Sequence, residues 1–150
     1  MKSTASFIVA TALIVLAVPA SAQFAKPEDA VKYRQSSLFV LGQHFSRIGA
    51  MVNGRVPYDA KVATDNAEVV ASMARLPWAG FTTGTENLSR KAKADIWTEQ
   101  AKFKDHNEKL VTESGKLLAA AKTSSLDNLK VAFGSTAGTC KACHDGFRND

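Results

Sequence analysis

The chain has 150 residues, of which 22% are charged and 45% hydrophobic, and its formal net charge is +5 at pH 7. This length suits one domain rather than two. The basic residues are scattered apart from Arg90, Lys91 and Lys93, so the charge favours solubility, or an acidic partner, over binding to nucleic acid.

The first 22 residues have the pattern of a secretory signal peptide. Met1 and Lys2 give a short positive start, residues 7–18 are an apolar run, and Ala20-Ser21-Ala22 offers small residues to signal peptidase. The run is shorter than the roughly 20 residues that span a bilayer. We therefore expect cleavage before Gln23, export, no membrane attachment afterwards, and a single mature domain over residues 23–150.

Helical periodicity begins at Pro27, which suits the first position of a helix, with Glu28 and Asp29 in its first turn. Steps of three and four residues follow, as in the seam of a helix bundle. Asn53-Gly54 and Pro57 predict the end of this helix. Its stripe comprises Val31, Arg34, Leu38, Leu41, Phe45, Ile48 and Val52.

Three further helices are predicted. The second begins near Asp59, carries Val62, Asn66 and Val69 on one side, and stops before Pro77. After a long irregular connection over residues 77–94, the third spans residues 95–121, and Ser124 or Ser125 caps the fourth. The pattern predicts an all-α, antiparallel four-helix bundle. Another helical topology would show the same stripes.

The last helix carries the motif Cys140-Lys141-Ala142-Cys143-His144, which is the C-x-x-C-H attachment sequence for haem c. Residues three and four apart share one face of a helix, so both thiols can join the vinyl groups of one porphyrin while His144 binds its iron. A redox dithiol is usually found near a βαβ pattern, and a structural zinc site needs four ligands. The motif therefore favours one covalently attached haem c.

These residues together give the chain a resemblance to the cytochrome c′ family, which is bacterial and periplasmic. The resemblance covers residues 23–150. Besides the C-x-x-C-H motif, it rests on residues 30–35 (AVKYRQ), residues 76–78 (LPW), Phe81 and residues 84–86 (GTE).

The resemblance implies a five-coordinate iron bound by His144, with an apolar side chain closing the opposite side. Leu38 is the candidate for that side chain, and it is equally suited to an ordinary core position. Methionine is a common sixth ligand in c-type cytochromes. After signal cleavage the methionines are Met51 and Met73, and neither lies in the early part of the first helix.

Five other residues are candidates for contact with the haem. Arg34 is a charge on an apolar stripe and needs a partner, which a haem propionate supplies; alternatively, its long stem reaches solvent. The resemblance also implies that Gln35, Thr85 and Glu86 line the haem. Arg148 lies one turn after His144 and would sit beside it, or serve only as a solvated C-terminal cation.

The resemblance implies binding of nitric oxide and carbon monoxide, and hence a scavenger or carrier of nitric oxide in a denitrifying bacterium. Electron transfer in a respiratory chain, with an unidentified redox partner, is the alternative. We expect no enzyme activity, because the stripe of the first helix supplies no acid–base group. The resemblance also implies a homodimer through the first two helices, to which Phe39 and Val40 would contribute.

Overall fold

The computed structural model describes residues 23–149, so the predicted signal peptide lies outside the described residues. No helix in this range is long and apolar enough to cross a membrane. The helices are α1 (Pro27–Val52), α2 (Ala60–Met73), a 3-10 helix (Pro77–Gly80), α3 (Asp95–Thr98), α4 (Gln100–Lys122) and α5 (Leu126–Phe147). The described part has no strand, only one isolated bridge between Ala92 and Arg148.

The four long helices pack as an antiparallel bundle, as predicted. α1 contacts α2 and α5, and α4 contacts α2 and α5, so each helix has two neighbours. Short connections join α1 to α2 and α4 to α5 at one end of the bundle. The long connection from α2 to α4 and the end of α5 lie at the other end.

Local signals set the helix ends. α1 begins at Pro27 with Glu28 and Asp29 in its first turn, where carboxylates face the positive end of the helix dipole. Asp59 caps α2, since its Oδ1 accepts a hydrogen bond from the Val62 amide at 2.9 Å. The Ser125 hydroxyl caps α5 through the Asn128 amide. These starts confirm the predictions made from the sequence.

The third predicted helix is not continuous. The chain breaks at Glu99, whose φ of −107° and ψ of 46° separate α3 from α4. The sequence has no glycine or proline there to signal a break. Tertiary contacts hold α3 in place instead, because Ile96 is buried and the Trp97 indole donates to the Thr82 carbonyl at 3.2 Å.

The buried face of α2 also differs from the predicted one. Val62 is 44% exposed, whereas Ala63, Ala67 and Val70 are fully buried and Asn66 is nearly so. α2 packs against both α1 and α4, so its buried face lies between the two neighbours. Small residues there allow the helix backbones to approach closely. α2 ends at Met73, whereas the predicted helix extends to Leu76, just before Pro77.

The apolar core fills the end of the bundle that has the short connections. Ile48, Leu117 and Leu129 are fully buried there, and the rings of Phe45 and Phe133 stack at 4.3 Å beside them. Each fully buried leucine or isoleucine contributes about 1.5–3 kcal/mol. This core stabilises the bundle at one end and leaves the other end free to form a cavity.

The 3-10 helix is held tightly against α1. A Cβ atom at Gly80 would lie 2.5 Å from the Ala30 carbonyl oxygen and 2.8 Å from Cβ of Arg34. Only glycine allows this approach, which brings the residues around Gly80 next to the first turns of α1.

We therefore expect Gly80→Ala to lower the free energy of unfolding by roughly 2 kcal/mol, the usual cost of an overpacked site. Gly115→Ala in α4 is the matched control, because a Cβ there meets nothing within 4 Å. The control should be neutral or stabilising by up to about 1 kcal/mol. Urea unfolding followed by circular dichroism measures both, and equal midpoints would contradict the close packing at Gly80.

Candidate functional site

A cavity of about 640 Å³ opens between α1, α4, α5 and the connection that follows α2. Its volume falls within the roughly 300–1,000 Å³ typical of cofactor and ligand sites. The wall is mainly apolar and aromatic, and its larger members are Leu38, Leu41, Phe45, Trp78, Phe81, Phe103, Leu110 and Phe147. Such a lining suits a flat apolar group.

The C-x-x-C-H motif lies in this wall. Cys140, Cys143 and His144 all line the cavity from α5, and both cysteines are free and half-buried. The spacing of three and four residues places them on one face of the helix, as predicted. Two thiols and an imidazole therefore face one apolar space.

The ionisation of these groups argues against a redox dithiol. Burial raises the pKa of the Cys140 thiol, and burial together with the neighbouring Cys140 raises the pKa of Cys143 to about 11. A reactive dithiol needs the opposite, a lowered pKa that gives a thiolate.

The His144 imidazole is suited to act as one ligand of a metal that other groups also hold. Burial, and then the charge of Arg148, lower the pKa of His144, while Asp145 opposes them. The neutral imidazole is the form that ligates metals. Within residues 23–149 no group of three or more His, Cys, Asp or Glu side chains could hold a metal ion, so the zinc interpretation has no support there.

Arg34 is buried at the edge of the cavity, with only 2% of its surface exposed. Its Nη1 donates to the Gly80 carbonyl and to the Thr85 hydroxyl, each at 2.8 Å, and its guanidinium lies 4.5 Å from the centre of the Phe81 ring. Burial lowers its pKa, and the charge of Glu86 opposes that shift. The alternative that Arg34 reaches solvent is therefore wrong. Its pairing with a haem propionate stays a prediction.

Thr85 and Glu86 do not line the cavity. Thr85 is fully buried behind Arg34, and its hydroxyl also donates to the Thr82 carbonyl at 2.7 Å. The Glu86 carboxylate accepts a hydrogen bond from the Gly84 amide at 3.1 Å. These residues shape the connection that holds Arg34 and do not form the wall itself.

The remaining predicted residues do face the cavity. Gln35 lines it and donates weakly to the Ser89 hydroxyl at 3.5 Å. Leu38 lines it from α1, and Arg148 lines it from the end of α5. The structure thus brings together Arg34, Gln35, Leu38, Cys140, Cys143, His144 and Arg148.

Part of the wall was not predicted from the sequence. Of the two tryptophans, Trp78 lines the cavity and Trp97 does not. The Trp78 indole donates to the Ala74 carbonyl at 2.6 Å. Phe103 and His106 line it from α4 and both pack edge-on against Phe147, at 5.2 Å and 5.6 Å between ring centres. The spacing of Phe103, His106 and Leu110, three and then four, was the available signal.

The residues present fit a haem c. Two thiols and an imidazole share a mainly apolar wall, and the cations Arg34, Lys91 and Arg148 lie along the same cavity. An apolar ring with two acidic substituents matches this distribution of charge.

Comparisons with known proteins agree with this arrangement. The sequence model of the family described as Cytochrome C′ matches residues 29–148. The cytochrome c′ of Alcaligenes xylosoxydans xylosoxydans is 47% identical over 126 residues, covering 84% of this chain and 98% of that protein.

Solved structures extend the likeness to the fold. The cytochrome c′ of Rubrivivax gelatinosus superposes with a TM-score of 0.82 at 41% identity, covering 85% of this chain and all of that one. A nitric oxide complex of a leucine-to-alanine variant of cytochrome c′ from Alcaligenes xylosoxidans gives 0.80 at 44% identity, covering 85% of this chain and 99% of that one. By sequence and by fold, the chain belongs to the cytochrome c′ family.

Proposed function

We propose that this chain is a periplasmic haem protein that binds nitric oxide and carbon monoxide. Cys140 and Cys143 would hold a haem c through thioether bonds, and His144 would ligate its iron. The observation that carries the proposal is the placement of all three residues in the wall of one apolar cavity.

When bound, the haem supplies an iron whose open coordination position takes a small diatomic gas. The chain's own residues decide what reaches that position. Leu38 faces the cavity from α1, while the motif lines the same cavity from α5, so Leu38 would restrict ligands by size. An aliphatic side chain offers no hydrogen bond to a bound ligand.

A role as scavenger or carrier of nitric oxide follows from this selectivity. The nitric oxide complex solved for the Alcaligenes xylosoxidans relative supports gas binding in this family member. The α1 residues that line the cavity include no histidine and no carboxylate. His106 lies against Phe147 on α5, the helix of His144. We therefore propose a binding protein in preference to a peroxidase.

Covalent attachment is the first test. Protein purified from the periplasm should retain a peroxidase-active band after denaturing electrophoresis and give a pyridine haemochrome spectrum. The Cys140→Ser/Cys143→Ser variant should lose both signals, because haem can no longer be held by thioethers. Lys141→Ser/Ala142→Ser changes the residues between the cysteines and should keep both signals. A wild-type protein without haem would contradict the proposal.

The size restriction is tested at Leu38. Leu38→Ala should speed carbon monoxide binding by about tenfold or more, equivalent to at least about 1.4 kcal/mol of barrier. Leu88→Ala is the matched control, since Leu88 is 43% exposed and does not line the cavity. Stopped-flow mixing of the ferrous proteins with carbon monoxide gives both rates. Equal rates for Leu38→Ala and wild type would remove Leu38 as the restriction.

We also propose a homodimer through α1 and α2. Exposed apolar residues lie on and between these helices, at Phe39, Val40, Val56 and Val62. Phe39 is 66% exposed but also borders the cavity, so Val40 is the cleaner site for a test.

Val40→Glu should give the mass of a monomer in light scattering, because a buried carboxylate would oppose association. Val131→Glu on α5, at a residue 75% exposed, should leave the mass unchanged. A monomeric wild-type protein would contradict the dimer.

A further inference from the structure

The residues that follow α5 are tied to a short basic segment. We call residues 90–93, with the sequence RKAK, the basic strap. The Lys93 amide donates to the Phe147 carbonyl and the Asn149 amide to the Lys91 carbonyl, each at 3.1 Å. The Asn149 side chain donates to the Arg90 carbonyl at 2.9 Å. These bonds fix the basic strap beside Arg148, so its charges belong to a rigid surface.

Within the part of the chain that the structure describes, no acid pairs with the cations of this surface. Among residues 23–149, Arg90, Lys91, Lys93 and Arg148 form no ion pair. Lys93 donates to the backbone carbonyl of Asp145 at 2.9 Å, which leaves its charge in place, and the Asp145 carboxylate is paired with Lys141. Lysines along α4 are paired with acids, for example Lys109 with Asp105. The three cations of the basic strap and Arg148 therefore form a local positive cluster at the end of α5.

This surface borders the proposed haem site. Lys91 and Arg148 line the cavity itself. Lys93, Arg148 and Asn149 line an adjoining recess of about 510 Å³, which His144 also borders. Charges on an exposed surface are screened beyond about 10 Å at 0.1 M salt. Only a partner seated next to the cofactor would feel these cations strongly.

We propose that the basic strap and Arg148 form a docking surface for an acidic redox protein that exchanges one electron with the haem. The inference rests on the proposed function, because it needs the haem in the cavity. In the reducing direction the partner loses one electron and ferric iron gains it, and no bond is made or broken. Ferrous iron binds nitric oxide strongly, so such a partner would prepare the protein for its ligand.

The choice of an acidic redox protein follows from position and charge. Complementary charge steers encounter and fixes orientation. Here four cations lie together at the edge of the cofactor site, where orientation matters for electron exchange.

The test compares two variants with the same change in net charge. Arg90→Glu/Lys93→Glu reverses two charges of the docking surface, and neither residue lines the cavity. Arg55→Glu/Lys122→Glu reverses two charges at the opposite end of the bundle, where both residues are exposed. Absorption spectra of the ferrous and ferric forms check that the haem site is unchanged in both.

Each ferrous protein is oxidised at low ionic strength by three reagents. These are an acidic blue-copper protein in its cupric form, the anion hexacyanoferrate(III) and the cation tris(phenanthroline)cobalt(III). Charge reversal at the strap should slow oxidation by the copper protein by about tenfold or more. It should also slow hexacyanoferrate(III) and speed the cobalt cation, while the control variant changes each rate far less. Added salt should reduce these differences.

A second measurement does not depend on electron transfer. The paramagnetic anion hexacyanochromate(III), added to the carbon monoxide form of the ferrous protein, should broaden NMR signals of residues 90–93 and 148–149 first. Diamagnetic hexacyanocobaltate(III) controls for simple salt effects. Broadening spread evenly over the surface would overturn the proposal.

The outcomes separate the two hypotheses. Absence of haem would contradict the proposed function. Haem-loaded variants that react alike with the copper protein would overturn the docking surface alone. If charge reversal at the strap changed the rate of oxidation by hexacyanoferrate(III) but not by the copper protein, the surface would bind small anions only. That result would also overturn protein docking.

Discussion

The buried guanidinium of Arg34 is the interaction on which the shape of the site depends. An arginine with 2% exposure would be costly to bury without partners. Here it donates to the Gly80 carbonyl and the Thr85 hydroxyl, so one side chain of α1 fixes two points of the connection after α2. In sequence, Phe81 lies between those two points and Trp78 lies just before them, and both side chains form part of the cavity wall. Because Gly80 has no Cβ, the connection can approach close enough for these bonds to form.

α5 joins the core of the bundle to the cofactor site. Leu129 and Thr136 are fully buried in its first half, and Cys140, Cys143 and Phe147 continue the same face into the cavity. A group attached to these thiols would complete the packing of the bundle rather than occupy a separate pocket. We therefore expect folding stability and cofactor attachment to be coupled, since binding to the native state alone stabilises it.

Features that depend on neighbouring residues in the sequence were predictable. The start of α1 at Pro27, the cap of α5 at Ser125 and the shared face of the C-x-x-C-H motif all follow from local rules. The break at Glu99 was not predictable, because contacts of Ile96 and Trp97 with distant residues cause it. Similarly, the burial of Arg34 depends on Gly80 and Thr85, more than 40 residues away. Periodicity identifies which face of a helix is apolar, but it does not say what packs against that face.

The separation of charge from the apolar wall links the two proposals. An uncharged gas can enter an apolar cavity at little electrostatic cost, whereas a redox protein carries a hydrated, charged surface and must remain outside. In this structure the wall around Leu38 and Phe45 is apolar, and the cations of the strap lie beside Arg148 at the end of α5. If both proposals hold, ligand and electron would approach the same haem by different routes. Reversing the charge of the strap would then alter electron exchange and leave the entry of carbon monoxide unchanged.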